Sequence, residues 1–228
     1  MKGSGMKVTV AMITMNEEGA IAKVIADIRR AVPEAGILIV DSSKDKTPEI
    51  AASLGVEVVR QFPPQGYGRA MDRALRSAQG DVVVTLDCDD TYPTEAIPEM
   101  LRWIEQGYDL VNASRLNRRP TAMPIANYAA NLVFAGATFA VHGLRTLDVH
   151  SGMRAYRKTM LDQLRWNPDG PALPVELLIL PYRKGFRVKD IGIDYRERVG
   201  QTTLNRWQST VWTFKRILGL RGVKPDKV

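Results

Sequence analysis

Strand and helix signals alternate four times in the first ninety residues, and this alternation constrains the fold more than any other feature. Residues 7–15 are apolar and β-branched and read as a buried strand. The polar Asn16-Glu17-Glu18 follows, and an apolar periodic run to residue 31 predicts a helix. Both glutamates are expected in its first turn, where the helix dipole favours carboxylates. Residues 36–41 (GILIVD) form a second strand, and Pro48 opens a helix that runs to residue 54. Residues 56–60 are a third strand, 62–68 a loop and 69–78 a helix. Residues 81–86 (DVVVTL) make a fourth strand, apolar enough to be central. Such a series builds right-handed βαβ units around a mostly parallel sheet, hence an α/β fold. Ligands of such sheets sit beyond the carboxyl ends of the strands. Met15-Asn16-Glu17, Asp41 and Asp87-Cys88-Asp89-Asp90 all fall at those ends.

The second half is less regular. Residues 95–106 predict a helix, 109–114 a strand, 115–120 a basic loop and 125–141 a long apolar helix. Residues 185–193 predict a late strand, and 204–218 an amphipathic basic helix. No repeat or linker interrupts the pattern. The reading is one domain over 6–228, with residues 1–5 (MKGSG) a tag remnant. No apolar run approaches the roughly 20 residues of a membrane span. The single cysteine excludes an internal disulfide and fits a reducing, cytoplasmic compartment. From Arg183 onward there are twelve Lys/Arg against four Asp/Glu, whereas the whole chain carries +7. That basic end points to an anionic partner: phosphate groups or an acidic membrane face, with peripheral contact at the inner membrane surface. Nucleic acid is not expected, because the motifs lie in the other half.

The chemistry gathers at Asp87-Cys88-Asp89-Asp90. Three carboxylates in four residues at a strand tip repel one another unless something compensates. A hard divalent cation such as Mg2+ or Mn2+, which prefers oxygen ligands and bridges to phosphates, is the natural compensation. In Gln65-Gly66-Tyr67-Gly68-Arg69-Ala70, two glycines precede a helix N-terminus, where backbone N–H groups can meet an anion. Neither a dinucleotide fingerprint nor a nucleotide-triphosphate loop is present.

Together these segments resemble the family 2 glycosyltransferases of the GT-A (nucleotide-diphospho-sugar transferase) fold, and within them the dolichol-phosphate mannose synthase and polyprenyl-phosphate glycosyltransferase branch. The resemblance is carried by Ile13-Thr14-Met15-Asn16-Glu17, Val40-Asp41-Ser42-Ser43-Lys44-Asp45, Gly66-Tyr67-Gly68-Arg69-Ala70 and Leu86-Asp87-Cys88-Asp89-Asp90-Thr91-Tyr92-Pro93. Further along it rests on Ala113-Ser114-Arg115, Asp148-Val149-His150-Ser151-Gly152-Met153-Arg154 and Arg198-Val199-Gly200-Gln201-Thr202-Thr203-Leu204. It implies a mostly parallel central sheet flanked by helices, and a nucleotide diphosphate sugar as donor. Thr14, Asn16, Glu17 and Asp41 would line the base and ribose pocket. Asp87 and Asp89 would hold the metal and donor diphosphate, with Thr91 at the place of a third ligand. Gly68 and Arg69 belong to the implied donor-binding set. Arg115 and Arg198 would meet phosphate, Ser151, Gly152 and Arg154 would shape the sugar or acceptor site, and Glu176 matches a carboxylate near the sugar. Thr203 stands where the family has a lysine, and Tyr128 where the lipid-phosphate branch often has arginine.

The implied reaction is inverting transfer to a lipid phosphate or to a hydroxyl. A phosphate acceptor, with a second pKa of about 6, is already nucleophilic at neutral pH, whereas a hydroxyl needs a general base within reach. Glu176 is the first candidate for that base and Asp148 the second, so Glu176→Gln separates the two acceptors. A non-catalytic nucleotide-sugar binder is the rival from another class. His142 reads as a capping or core histidine, and Cys88 as a small buried residue.

Overall fold

In the computed structural model, the described residues are 5–117, 120, 123–197 and 206–224. Seven strands, β1 (Val8–Thr14), β2 (Gly36–Asp41), β3 (Glu57–Arg60), β4 (Val82–Thr85), β5 (Leu110–Ser114), β6 (Arg154–Arg157) and β7 (Val188–Gly192), form one sheet in the order β3-β2-β1-β4-β6-β5-β7. All pairings are parallel except those of β6, which runs antiparallel to both β4 and β5. The helices are α1 (Ile21–Ala31), α2 (Thr47–Ser53), α3 (Tyr67–Ser77), α4 (Ile97–Glu105), α5 (Ile125–His142), α6 (Lys158–Gln163), α7 (Leu173–Arg183) and α8 (Arg206–Gly219).

The strands sort their side chains by the two-residue period of a pleated sheet. Val10, Met12, Ile39, Val82 and Val84 face a core closed by α1, α2 and α4. Ala11, Leu38, Val40 and Val83 face the opposite core, closed by α3, α6, α7 and parts of α5 and α8. Helix α1 shows how sequence selects its layer: Ile21, Val24, Ile25 and Ile28 form one buried stripe at helical spacing.

Three differences from the sequence-based expectation have physical causes. Glu17 and Glu18 precede α1 instead of opening it. Asn16 takes a left-handed backbone (φ 63°), and the N–H groups of Glu17 and Glu18 donate to Thr47 Oγ1 (2.9 Å) and Asp45 Oδ2 (3.2 Å), tying the segment to the β2–α2 loop. Strand β6 is not predicted by the sequence, because Arg-Ala-Tyr-Arg carries no apolar alternation; it exists because β4 and β5 pair with it on both sides. Nor does the sequence predict helix α7. It has prolines at 174 and 181 and is buried on every side through Pro181, so it shows no amphipathic stripe.

Candidate active site

With β1, β2, β4, β5 and β7 parallel, their carboxyl ends share one edge with the amino end of β6. The tips of β1, β2 and β3 are locked together there. Asp41 is fully buried and accepts from Thr14 Oγ1 (2.9 Å) and the Ser43 N–H (3.0 Å), while the Arg60 guanidinium pairs with the same carboxylate. Asn16 receives the Lys44 N–H (2.9 Å) and donates its own N–H to Ser43 Oγ (2.8 Å). Of the four residues expected to line a base and ribose pocket, Thr14 and Asp41 therefore form its bracing, turned inward. Asn16 is exposed and Glu17 half-buried, so these two remain at the surface.

The tip of β4 divides its three carboxylates. Asp90, with a left-handed backbone (φ 61°), turns to Lys23 (2.6 Å) and lies 4.0 Å from Arg196. Asp87 and Asp89 remain with Cys88. Burial, then the carboxylates of Glu17, Asp89, Asp87 and Asp41, hold the Cys88 thiol well above its ordinary value, so these four acids share one neighbourhood. Cys88 itself is buried, as expected. Asp89 Oδ1 accepts from the Thr91 hydroxyl (2.6 Å) and N–H (3.2 Å). Thr91 is fully buried, so it acts as a brace on Asp89 where the resemblance made it a metal ligand. Among the described residues no group of three or more His, Cys, Asp or Glu is set to enclose a metal. The pair Asp87 and Asp89 supplies hard oxygens only, a donor set that fits Mg2+ or Mn2+ completing its shell on a diphosphate.

Gly152 backs this pair. A Cβ there would lie 2.9 and 3.0 Å from the two Asp87 carboxylate oxygens. The glycine is pinned at both ends: its N–H donates to Tyr92 Oη (2.7 Å) and its carbonyl accepts from Thr85 Oγ1 (2.8 Å). Ser151 donates inward to the Ala113 carbonyl (2.6 Å) and is buried, so it shapes the turn without facing a ligand. Arg154 is also a structural group. It is buried and donates to Asn112 Oδ1 (2.8 Å) and to the carbonyls of Val149 (3.0 Å) and Pro174, which replaces its expected substrate contact. Tyr92, Thr85 and Tyr67 are the residues to which sequence reasoning assigns no role. Burial, then the Asp87 carboxylate, push the Tyr67 hydroxyl well up. The available signal is the position of both tyrosines inside the quoted motifs.

Arg115 forms a bidentate pair with the buried Asp148, Nε to Oδ2 at 2.7 Å and Nη2 to Oδ1 at 2.8 Å. Burial opposes ionisation of Asp148, but the Arg115 charge and hydrogen bonds outweigh it and hold the carboxyl below its ordinary value. An acid held ionised by an arginine is a poor proton acceptor, which removes Asp148 as the second base candidate. Glu176 differs from Asp148: burial pushes its carboxyl above the ordinary value in spite of the Arg216 charge beside it. Its Oε1 accepts from the Asn167 N–H (3.1 Å), and its Oε2 pairs with Arg216 of α8, so it ties α7 to α8. The expected anion site at the glycine pair also changes. Gly68 is required because residues 168–170 pack on it, with Pro168 O only 2.1 Å from the position of a Cβ; the close approach is to the protein's own backbone. Arg69 pairs with Asp169 (2.7 Å), both half-exposed. Arg198 and Thr203 lie outside the described residues.

Both histidines are internal. His142 Nε2 meets the Ile217 carbonyl (2.7 Å), in keeping with a core role. His150 Nε2 meets Thr213 Oγ1 (2.8 Å), and its ring lies edge-on to Phe134 (5.2 Å). Burial pushes His150 down to about 4. The unfolded chain, with an ordinary histidine value of about 6.5, takes up a proton below that pH while the folded chain does not. Stability from this group is therefore complete above about 6.5 and falls as pH drops toward 4. Denaturant unfolding should show a loss of about 2 kcal/mol between pH 7.5 and 5 from this residue. His150→Asn should flatten that slope; an unchanged slope would remove the assignment.

The chain resembles known proteins in sequence and in fold. The profile of glycosyl transferase family 2 matches residues 9–165. A dolichyl-phosphate hexose transferase of Haloferax volcanii is 43% identical over 197 residues, 86% of each chain. A dolichol-phosphate mannosyltransferase of Pyrococcus furiosus is 30% identical over 76% of this chain and 53% of its own length. Among solved structures, glucosyl-3-phosphoglycerate synthase from Mycobacterium tuberculosis with uridine diphosphate superposes with a TM-score of 0.77 at 23% identity, covering 98% of this chain and 82% of that one. The same enzyme with Mn2+, uridine diphosphate and phosphoglyceric acid gives 0.76. The sheet and its flanking helices are those of the GT-A fold, and the chain belongs to glycosyl transferase family 2.

Proposed function

We propose that this glycosyltransferase moves a hexosyl group from a nucleoside diphosphate sugar to a polyprenyl-phosphate acceptor, with Asp87 and Asp89 seating Mg2+ or Mn2+. The observation that carries the reading is the Asp87–Asp89 pair at the tip of a central parallel strand, braced by Thr91 on one side and backed by Gly152 on the other. When bound there, the cation would neutralise the charge that develops on the leaving diphosphate. The chain's own residues do the rest. Thr91 fixes the orientation of Asp89, and Gly152 leaves room for the Asp87 carboxylate. Asn16 and Glu17 stand at the β1 tip, where a nucleotide would lie. In the transfer, the bond from the anomeric carbon to the diphosphate oxygen breaks, and the acceptor oxygen bonds that carbon from the opposite face, inverting it.

A phosphate acceptor suits this site because both base candidates are already engaged, Asp148 with Arg115 and Glu176 with Arg216 and Asn167. A phosphate monoester needs no base at neutral pH. Three points support the lipid-linked form: the Haloferax and Pyrococcus relatives, the basic C-terminal segment, and the two engaged bases. The test has two arms. Thermal shifts with UDP, GDP, dTDP and CDP, with and without Mn2+, should show one diphosphate raising the melting temperature only with metal present, since a ligand bound to the native state alone stabilises it. Glu176→Gln should then keep transfer to a polyprenyl phosphate within about threefold, because no proton is taken in the step. No metal-dependent shift would sink the donor site. Collapse of transfer in a still-folded Glu176→Gln protein would favour a hydroxyl acceptor.

A further inference from the structure

Strand β7 lies at the edge of the sheet, with β5 and β6 between it and β4. The chain continues past Gly192 on the same side as the carboxylates. The Ile193 N–H donates to the Ser114 carbonyl (3.0 Å), one step beyond the β5–β7 ladder. Residues 193–196 then reach the tip of β4, where the Arg196 N–H donates to the Thr91 carbonyl (3.0 Å). Among the described residues, this is the one backbone hydrogen bond that ties residues 87–93 to a distant segment. The side chains follow the same course. The Tyr195 ring lies edge-on to Tyr92, with centroids 5.8 Å apart. The Arg196 guanidinium pairs with Glu95 and stands 4.0 Å from Asp90. The segment thus meets Asp90, Thr91 and Tyr92 together.

Two of those three residues already hold the carboxylate pair. Thr91 fixes Asp89 through its hydroxyl and N–H, and Tyr92 Oη accepts from the N–H of Gly152, the glycine that backs Asp87. Residues 87–93 belong to no helix or strand, so no ladder sets their position and outside contacts must. Tyr195 is itself fixed from its other side. The Arg115 guanidinium lies over its ring (5.4 Å), and Asp148 holds that guanidinium in the bidentate pair. A line of contacts therefore runs from Asp148 through Arg115, Tyr195, Tyr92 and Gly152 to Asp87. A segment that only closed the sheet edge would find its partners on β5. This one crosses two strand ends to the turn that carries the acids.

We propose that Tyr195 is a positioning residue for the Asp87–Asp89 pair. The strap it belongs to sets Thr91 and Tyr92, and through them the geometry in which the two acids take a divalent cation. The role rests on the reading of that pair as the metal site. Groups behind metal ligands orient them, and losing one typically lowers metal affinity about 10–100-fold. What Tyr195 contributes is its ring, because its contacts with Tyr92 and Arg115 are both ring contacts. The ion pair of Arg196 with the exposed Glu95 contributes little beside this, since such pairs are screened by water.

The test reads metal affinity directly, with no donor sugar and no turnover. Mn2+ is titrated into the full chain in the presence of UDP or GDP, and free Mn2+ is followed by electron paramagnetic resonance. Tyr195→Ala should weaken Mn2+ binding about tenfold, whereas Tyr195→Phe, which keeps the ring, should stay within about twofold of the parent. Tyr195→Leu, a milder cut for the case that the alanine variant does not fold, should fall between them. Glu95→Gln should stay within about twofold. Placed on Tyr92→Phe, Tyr195→Ala should cost less than it does on the parent, because the two residues act along one line. A Tyr195→Ala or Tyr195→Leu protein that melts lower yet binds Mn2+ as the parent does would reduce the strap to a structural element and overturn the proposal. So would a Tyr195→Phe protein that loses as much as Tyr195→Ala, or full additivity with Tyr92→Phe. A parent chain that takes up no Mn2+ with either diphosphate would overturn the metal site and the strap's role together, whereas normal binding in parent and variants alike overturns the strap alone.

Discussion

Replacing Asp87 and Asp89 together with alanine is expected to lower sugar transfer by about 10³-fold or more while the protein stays folded. The size follows from what a seated cation contributes. Charge stabilisation of a leaving diphosphate is worth several kcal/mol, and each 1.36 kcal/mol of barrier is about tenfold in rate. The fold should survive because neither residue belongs to the hydrophobic clusters on the two sides of the sheet. Removing two of the four carboxylates near Cys88 also relieves mutual repulsion, so the melting temperature without metal should be unchanged or higher. Donor diphosphate should no longer raise it when Mn2+ is added. Asp87→Asn alone should show the same direction with a smaller loss. Transfer that persists in the double variant, or a metal-dependent shift that survives it, would place the diphosphate elsewhere.

Legibility followed the range of the interactions involved. The strand–helix alternation of the first half is local, so β2 (Gly36–Asp41) is expected at its observed bounds and the polar tips of β1, β2 and β4 fall on one edge. The pairing of Asp87 with Asp89 is legible because two residues on one strand tip need no distant partner to be neighbours. What sequence alone cannot show is what each polar group does with its hydrogen bonds. Arg154 looks like an anion ligand until Asn112, Val149 and Pro174 are folded around it. Gly68 looks like a phosphate turn until the loop at 168–170, one hundred residues later, packs on it. Glu176 looks like a free carboxylate until Arg216 of α8 pairs with it. In each case a deciding contact spans at least 20 residues of sequence. Helix α7 is hidden for another reason: buried on nearly every side and bearing two prolines, it has no polar stripe to reveal its period.

Gly152→Ala should cost about 10²-fold in transfer, a large loss for one methyl group. The added Cβ would meet Asp87 Oδ2 at 2.9 Å, Oδ1 at 3.0 Å and Cγ at 3.1 Å, closer than a carbon and a carboxylate can sit comfortably. One side must yield, and the backbone cannot do so cheaply. Gly152 N–H is held by Tyr92 Oη and its carbonyl by Thr85 Oγ1, both in buried surroundings, where a broken hydrogen bond costs about 1–3 kcal/mol. Asp87 therefore swings away from Asp89, and the pair loses its geometry while both acids remain present. The signature differs from removal of the acids: excess Mn2+ should recover part of the rate in Gly152→Ala and none in the double alanine variant, because a misplaced ligand weakens metal affinity without abolishing it. Tyr92→Phe, which removes the acceptor of the Gly152 N–H, should show a milder form of the same metal dependence together with a lower melting temperature. A Gly152→Ala protein with normal transfer at low Mn2+ would mean that Asp87 does not need the position it holds against this turn, and the case for it as a ligand would fail.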